Sequence, residues 1–431
     1  MNTSFTLSDI IPPVYVLAAQ SRLELICLAG LVAVWAWFGY YFAVWASRQN
    51  QEYKPKGDFV QQVQGEWKPL IYVGRAEYDN SLQHRVEEIL QAFSRDWQGK
   101  RVLLKPNMLA AHAPEKAVTT HPLLLKYVLE ALHSCGAEVM VGDNPGVGGY
   151  GRSQNAARKT GLLEAAGECF VHLGRNPVRV QGQSRYFQTI SISREVLEAD
   201  LVINLPKLKT HCLTVLTGAV KNTFGYVVGA DKLRIHASCP SPRDFAQALL
   251  DVYLLRPPEL NIMDAVWAMQ GNGPSNGKAV HLGLILAAEN AVSLDCTAVH
   301  ILGRRIREIP HLELAAAQGL GEGDPTRMQI QGQLQKIQGF RFPQTFVPGL
   351  AGLVMNRCFS RWANPLPKVV RDKCTSCGLC AEHCPVGAMQ MWGAGPVLNQ
   401  ERCISCYCCQ EMCPKDAISF SGRLLDFLRR E

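Results

Sequence analysis

Two cysteine runs near the C-terminus have the residue types and the spacing to do chemistry. The first is Cys374, Cys377, Cys380 and Cys384 closed by Pro385, and the second is Cys403, Cys406, Cys409 and Cys413 closed by Pro414. Both read C-x2-C-x2-C-x3-C-P, and the second starts 29 residues after the first. Three thiolates separated by two residues can wrap one iron–sulfur cube, and the proline then turns the chain away. Paired C-x2-C motifs also build tetrahedral zinc sites. Two identical four-cysteine runs, each closed by proline, favour 4Fe–4S chemistry over zinc. Cys408 falls outside the repeat, so Cys409 is the better ligand.

The runs resemble those of bacterial two-cluster ferredoxins, in which the fourth cysteine of each run ligates the other run's cluster. The resemblance implies one 4Fe–4S cluster on Cys374, Cys377, Cys380 and Cys413, and a second on Cys403, Cys406, Cys409 and Cys384. The formal charge of +7 then falls to about +3, because each oxidised cube with its thiolates carries about −2. With no basic block and no aromatic-interleaved basic run, nucleic acid is not an expected partner. The remaining cysteines (Cys27, Cys135, Cys169, Cys212, Cys239, Cys296, Cys358 and Cys408) have no paired spacing and read as small buried hydrophobes in a reducing compartment.

A chain of 431 residues is too long for a ferredoxin alone. From Leu70 onward, short apolar runs alternate with amphipathic ones. Strands are predicted at 70–74, 101–105, 138–142, 201–205, 260–264 and 282–287, and helices at 81–95, 122–134, 243–255 and 291–302. That alternation predicts an α/β fold, a mostly parallel sheet with helices on both faces. Residues 321–366 are rich in Gly, Gln and Pro and predict little regular structure. The expected organisation is a tail over 1–24, an apolar run at 25–46, a polar linker at 47–68, the α/β domain at 69–345, a connection at 346–366, the ferredoxin-like module at 367–420 and a basic tail at 421–431.

Residues 25–46 carry no charge for 22 positions, with Trp37, Tyr40, Tyr41 and Trp45 towards one end. This suits a single transmembrane helix. A cleaved signal peptide is the rival, but the region before the run is too long and barely basic. Arg48, Lys54, Lys56 and Lys68 follow the run and only Arg22 stands close before it, which puts the bulk of the chain in the cytoplasm.

Polar residues collect just beyond the predicted strands, where open α/β sheets bind ligands. Lys105 and Asn107 follow one strand and Asp143 another; Asn204 ends a third, ahead of Lys207, Lys209 and His211; Asp264 ends a fourth. With Lys221, Asn222, Arg234 and His236 they would form a cationic crevice for an anionic small molecule. Lys105, Lys207 and Lys209 would hold the anion, and His211 or His236 would supply a proton. The loop Gly146 to Gly151 formally matches G-x-G-x-x-G, with Glu168 at the distance of a ribose-binding acid. Asp143, Asn144 and Pro145 intervene where that fingerprint needs a tight turn, so a plain or anion-binding loop is the better reading. His211 and His236 lack metal-ligand spacing.

The segments KPNM (105–108), HP (121–122), GDNPG (142–146), NLPKLKTH (204–211), TGAVKNTFG (217–225) and MQGNGPSNG (269–277) resemble the family known as domain of unknown function 362. The resemblance spans roughly residues 70–305. It implies an α/β fold and an iron–sulfur association, and no general reaction. Two function classes fit the sequence. One is a membrane-anchored iron–sulfur oxidoreductase that delivers single electrons to an anion in the α/β crevice. The other is a non-enzymatic electron-transfer or docking subunit of a membrane redox complex. Either implies a redox partner protein.

Overall fold

The structure, a computed structural model, describes residues 68–145, 152–343, 345 and 365–421. All belong to one compact unit, Lys56–Glu431. The apolar run 25–46, the loop 146–151, most of the 346–366 connection and the tail after 421 lie outside the described residues. Among the described residues no helix is long and apolar enough to cross a membrane.

Fifteen strands are described. Their ranges are β1 (Leu70–Arg75), β2 (Arg101–Pro106), β3 (Glu138–Val141), β4 (Pro177–Ser184), β5 (Phe187–Ser193), β6 (Leu201–Leu205), β7 (Lys207–His211), β8 (Val215–Thr217), β9 (Leu260–Gln270), β10 (Lys278–Ala288), β11 (Gln329–Gly332), β12 (Leu366–Val369), β13 (Met389–Trp392), β14 (Gly395–Leu398) and β15 (Ile418–Ser421). The central sheet runs β11-β1-β10-β9-β6-β2-β3, with β7 added along β9 and β8 on β7. The β11–β1, β9–β6, β6–β2, β2–β3 and β7–β9 pairs are parallel, whereas β10 is antiparallel to both neighbours. The sheet is therefore mixed and mostly parallel. Antiparallel β10 follows from its short hairpin with β9, since a parallel return would need a long crossover. β11 forms an edge strand inside the stretch expected to lack regular structure.

Successive side chains of the buried strands feed opposite cores, as the two-residue period requires. Ile71, Val73, Leu284 and Leu286 enter one core, while Tyr72, Ile285 and Ala287 enter the other. Helices α1 (Asn80–Ala92) and α2 (Pro122–Ser134) cover the second face through Leu82, Val86 and Ile89 and through Leu124, Val128 and Leu132. The site further involves α3 (Ala219–Asn222), α4 (Asp231–Ser238), α5 (Pro242–Tyr253) and α6 (Ala291–Ile301). Each long helix starts on a side-chain cap: Asp79 for α1, His121 for α2, Ser241 for α5 and Asn290 for α6.

Pro206 governs the centre of the sheet. It separates β6 from β7 yet leaves both on β9, so the chain stays extended from Leu201 to His211. Its carbonyl still accepts the Asp264 N–H at 2.9 Å. Alternation then sets Lys207, Lys209 and His211 on one face of β7.

The C-terminal module has helices α7 (Leu379–Glu382) and α8 (Cys408–Glu411) flanked by the β12–β15 and β13–β14 pairs. It shares a core with the α/β domain, where Tyr407 and Phe420 pack in one cluster with Cys212, Leu213, Ile235 and Phe245. The β9–β10 loop seats α8. Gln410 Nε2 donates to the Asn272 carbonyl at 2.9 Å, and Ser275 Oγ to the Glu411 carbonyl at 3.2 Å. Gly273 in this loop has no room for a side chain, because a Cβ would stand 2.0 Å from the Thr210 carbonyl oxygen. Gly273→Ala is expected to destabilise the protein by about 1–3 kcal/mol, the usual result of overpacking. Urea unfolding checks this, and an unchanged midpoint would mean that the loop is not seated as described.

Candidate functional site

Near the carboxyl ends of β2 and β6 and the start of β9, Lys105, Asn204 and Asn261 stand in register on adjacent strands and are completely buried. An ammonium group taken out of water requires partners. Lys105 Nζ lies 2.7 Å from Asp143 Oδ1, while Asp143 Oδ2 accepts the Met108 N–H at 2.8 Å. Lys207 Nζ lies 2.9 Å from Asp264 Oδ2 and donates to the Tyr78 hydroxyl at 2.7 Å. That hydroxyl donates in turn to Asp264 Oδ1, and the His121 N–H to Oδ2. Burial lowers the pKa of both lysines, and each aspartate partly restores it. Asp264 is saturated, so Lys207 and Asp264 form a structural pair instead of the anion site expected from the sequence. The HP motif has the same explanation, with His121 capping α2, stacking on Tyr78 and tying Asp264 to the helix start.

Lys209 begins a one-way chain of hydrogen bonds. Its Nζ donates to Asn107 Oδ1 at 2.7 Å, Asn107 Nδ2 to Asn222 Oδ1 at 2.7 Å, Asn222 Nδ2 to Asn204 Oδ1 at 2.7 Å, and Asn204 Nδ2 to Asn261 Oδ1 at 2.8 Å. Asn261 finishes the chain on the Glu289 carbonyl at 2.9 Å. Each link polarises the next. Burial holds Lys209 well below the ordinary lysine range.

A small crevice opens beside this chain. It is lined by Asn107, Asp143, Lys209, Lys221, Asn222 and His236 among the residues expected from the sequence. Lys105, Asn204, Lys207, His211 and Asp264 support it without lining it. Arg234 is exposed and pairs with Asp231, so the cationic crevice does not include it. Lys221 and Asn222 are positioned by α3, whose first N–H groups, on Ala219 and Val220, donate to the buried Asp295 at 2.6 and 3.0 Å. A Cβ on Gly218 would meet Asp295 Oδ1 at 2.2 Å, and one on Gly225 would meet Asp143 Oδ1 at 2.1 Å. The glycines of TGAVKNTFG thus let the backbone approach both carboxylates.

Sequence reasoning missed Lys232, Asn144, Thr217 and Phe224, and the whole contribution of the cysteine module. Lys232 Nζ donates to the Asn144 and Pro145 carbonyls at 2.7 and 3.0 Å, and burial lowers its pKa to about 7. Cys408, Glu411 and Met412 close the crevice from the α8 side. His211 Nδ1 accepts the Leu213 N–H, which leaves Nε2–H to face Glu411 Oε1 at 2.9 Å. His211 thus braces α8 and lies away from the crevice. Burial lowers its pKa to about 4. His236 stacks on Phe245 with ring centroids 4.3 Å apart, and burial lowers its pKa to about 4. Glu168 lies in a short 3-10 turn; the Gly146–Gly151 loop lies outside the described residues.

The cysteines fit 4Fe–4S ligation. Cys374, Cys377, Cys380 and Cys413 line one cavity, so the fourth cysteine of the second run joins the first three of the first. Burial and then the neighbouring Cys413, Cys377 and Cys374 raise the Cys380 pKa to about 11. Such mutual opposition to ionisation is what bound iron relieves. Cys409 has Cys406, Cys403, Cys380 and Cys384 among its electrostatic neighbours. Both fourth cysteines accept N–H bonds at sulfur, Cys384 from Ala388 at 3.1 Å and Cys413 from Ala417 at 3.2 Å.

The Lys207–Asp264 pair gives a direct test. Lys207→Met leaves Asp264 buried without its counter-charge and is expected to destabilise the fold by about 3–5 kcal/mol. Denaturant titration measures this; a loss below about 1 kcal/mol, the range of surface pairs, would contradict the structural role.

Comparison with known proteins supports this architecture. Residues 102–300 match the family described as a domain of unknown function, DUF362. Residues 367–390 and 396–419 match the 4Fe-4S binding domain. The chain is 31% identical over 259 residues to the thylakoid-associated protein sll1697 of Synechocystis sp., a match covering 58% of this chain and 78% of that protein. Among solved structures, a Thermotoga maritima protein aligns with TM-score 0.34 and 11% identity over 49% of this chain and 55% of that one. The lactate racemase apoprotein from Thermoanaerobacterium thermosaccharolyticum aligns with TM-score 0.33 and 15% identity over 54% and 55%. The chain thus spans about half the length of each of these two structures. It belongs to the DUF362 family and carries a C-terminal 4Fe–4S binding domain.

Proposed function

We propose that this protein is a membrane-anchored oxidoreductase in which two 4Fe–4S clusters pass single electrons to a small anion held in the α/β crevice. One observation carries the reading: the crevice that contains Lys209, Lys221 and Lys232 is closed by Cys408, Glu411 and Met412, on and just after the helix that bears the ligand Cys409. When bound, the clusters supply one electron at a time. Lys221 attracts the anion, the Lys209–Asn107–Asn222 chain fixes the wall behind it, and Leu109, Phe224, Pro274 and Met412 limit water. His236 lines the crevice with an unpartnered Nδ1, which makes it the proton-handling group in preference to His211. The two ends of the module differ in exposure: Cys377 is exposed, whereas Cys408 and Cys409 are buried. A redox partner protein therefore delivers electrons on the Cys377 side in this reading. The uncharged run 25–46 would anchor the chain, with the bulk in the cytoplasm, and the relative's description as thylakoid-associated agrees with a membrane location.

Anaerobically purified protein is expected to contain about eight irons and eight acid-labile sulfides. Cys384→Ser should damage the cluster of the second run and Cys413→Ser that of the first. Stoichiometric zinc without iron–sulfur absorption would end this part of the reading.

Lys221→Met is expected to keep iron and sulfide contents and to abolish anion-dependent reoxidation of the reduced clusters. Stopped-flow absorbance under argon, with a panel of small anions, measures this. Turnover kept in full while a partner protein no longer binds would favour the non-enzymatic docking subunit.

A further inference from the structure

The crevice is small and opens partly to solvent. Its cavity is about 60 Å3, which at ~15 Å3 per water on this measure is room for about four water molecules. Leu109, Phe224, Pro274 and Met412 form apolar walls. Most of the polar lining is already satisfied. Lys209 is held by Asn107 and Val118, Lys232 by two carbonyls, and Asn222 by Asn107 and Asn204. The two carboxylates on the wall face cations or donors of their own, Asp143 against Lys105 and Glu411 against His211.

Three lining groups are left over. Thr217 Oγ1 and His236 Nδ1 have no hydrogen-bond partner although the residues are only 3% and 6% exposed. Lys221 makes no hydrogen bond or ion pair among the described residues. Buried polar groups without partners are unfavourable, and two of them beside the half-buried, unpaired Lys221 mark a place where a ligand supplies the missing partners.

We propose that the crevice binds a compact oxyanion, of the size of nitrite, formate or sulfate, through Lys221, Thr217 and His236, and that the seated α8 helix excludes larger phosphorylated or polycarboxylate metabolites. This rests on the reading that the crevice is an anion site, and it adds the ligand's size and its three contacts. The β9–β10 loop and Met412 supply part of the wall, so selectivity depends on the module being docked.

Isothermal titration calorimetry of the full, cluster-loaded protein under argon tests this with nitrite, formate, sulfate, pyrophosphate and citrate. At least one of the three compact anions is expected to bind, and pyrophosphate and citrate are not. Lys221→Met should weaken that binding by about tenfold or more, as expected for a lost charged contact. Thr217→Val, which keeps shape and removes only the hydroxyl, provides a second variant if the first folds poorly and should also weaken it. Pyrophosphate or citrate binding as tightly as the compact anions, and still lost in the variants, overturns the size limit but leaves an anion site. Absence of any binding that depends on Lys221 or Thr217 overturns both.

Discussion

Removing lysine ammonium groups from water is the constraint on which the rest of the site depends. Lys105 on β2 and Lys207 and Lys209 on β7 have almost no exposure. A buried cation without partners is too unfavourable to persist, so the surroundings are built to satisfy them. Asp143 and Asp264 neutralise two, and the four-asparagine chain absorbs the third. Those demands in turn fix Tyr78, His121, Gly225 and the start of α2. Lys221 differs: it rides on α3, clamped by Asp295, and points its charge towards a cavity.

The same logic explains why the two halves of the cysteine module are unequal. Glu382 and Glu411 occupy equivalent places in the two runs, yet Glu382 is 60% exposed and Glu411 only 13%. Burial alone would raise the Glu411 pKa, but His211, Lys221 and His236 bring it to about 2. The module is thus held by the His211–Glu411 contact, by side-chain-to-carbonyl hydrogen bonds with the β9–β10 loop and by the Tyr407–Phe420 contribution to the α/β core. One end meets the crevice and the other meets solvent.

Much of this was legible in the sequence. β6 occupies its expected positions, and α2 agrees over its full length, because period and caps coincide there. The antiparallel course of β10 was not visible, since its apolar run 282–287 carries no sign of its direction. β7 was hidden behind Pro206 and by its polar sequence, and Lys105 and Lys207 read as ligand-binding because their aspartates are 38 and 57 residues away along the chain. For Lys105 and Lys207 those distances decide everything: a lysine beside a strand end reads as ligand-binding until its carboxylate is located. Glu411 was equally silent, because nothing in its run distinguishes it from Glu382.

The most direct test is a potentiometric titration of both clusters by electron paramagnetic resonance, with and without formate, sulfate or pyrophosphate. A bound anion opposes the arrival of a further electron, and the effect falls with distance. On this account an anion in the crevice lowers the potential of the cluster on Cys403, Cys406, Cys409 and Cys384, assigned through Cys384→Ser, and leaves the other unchanged. Potentials that no anion moves, or a shift confined to the cluster on Cys374, Cys377, Cys380 and Cys413, would contradict it.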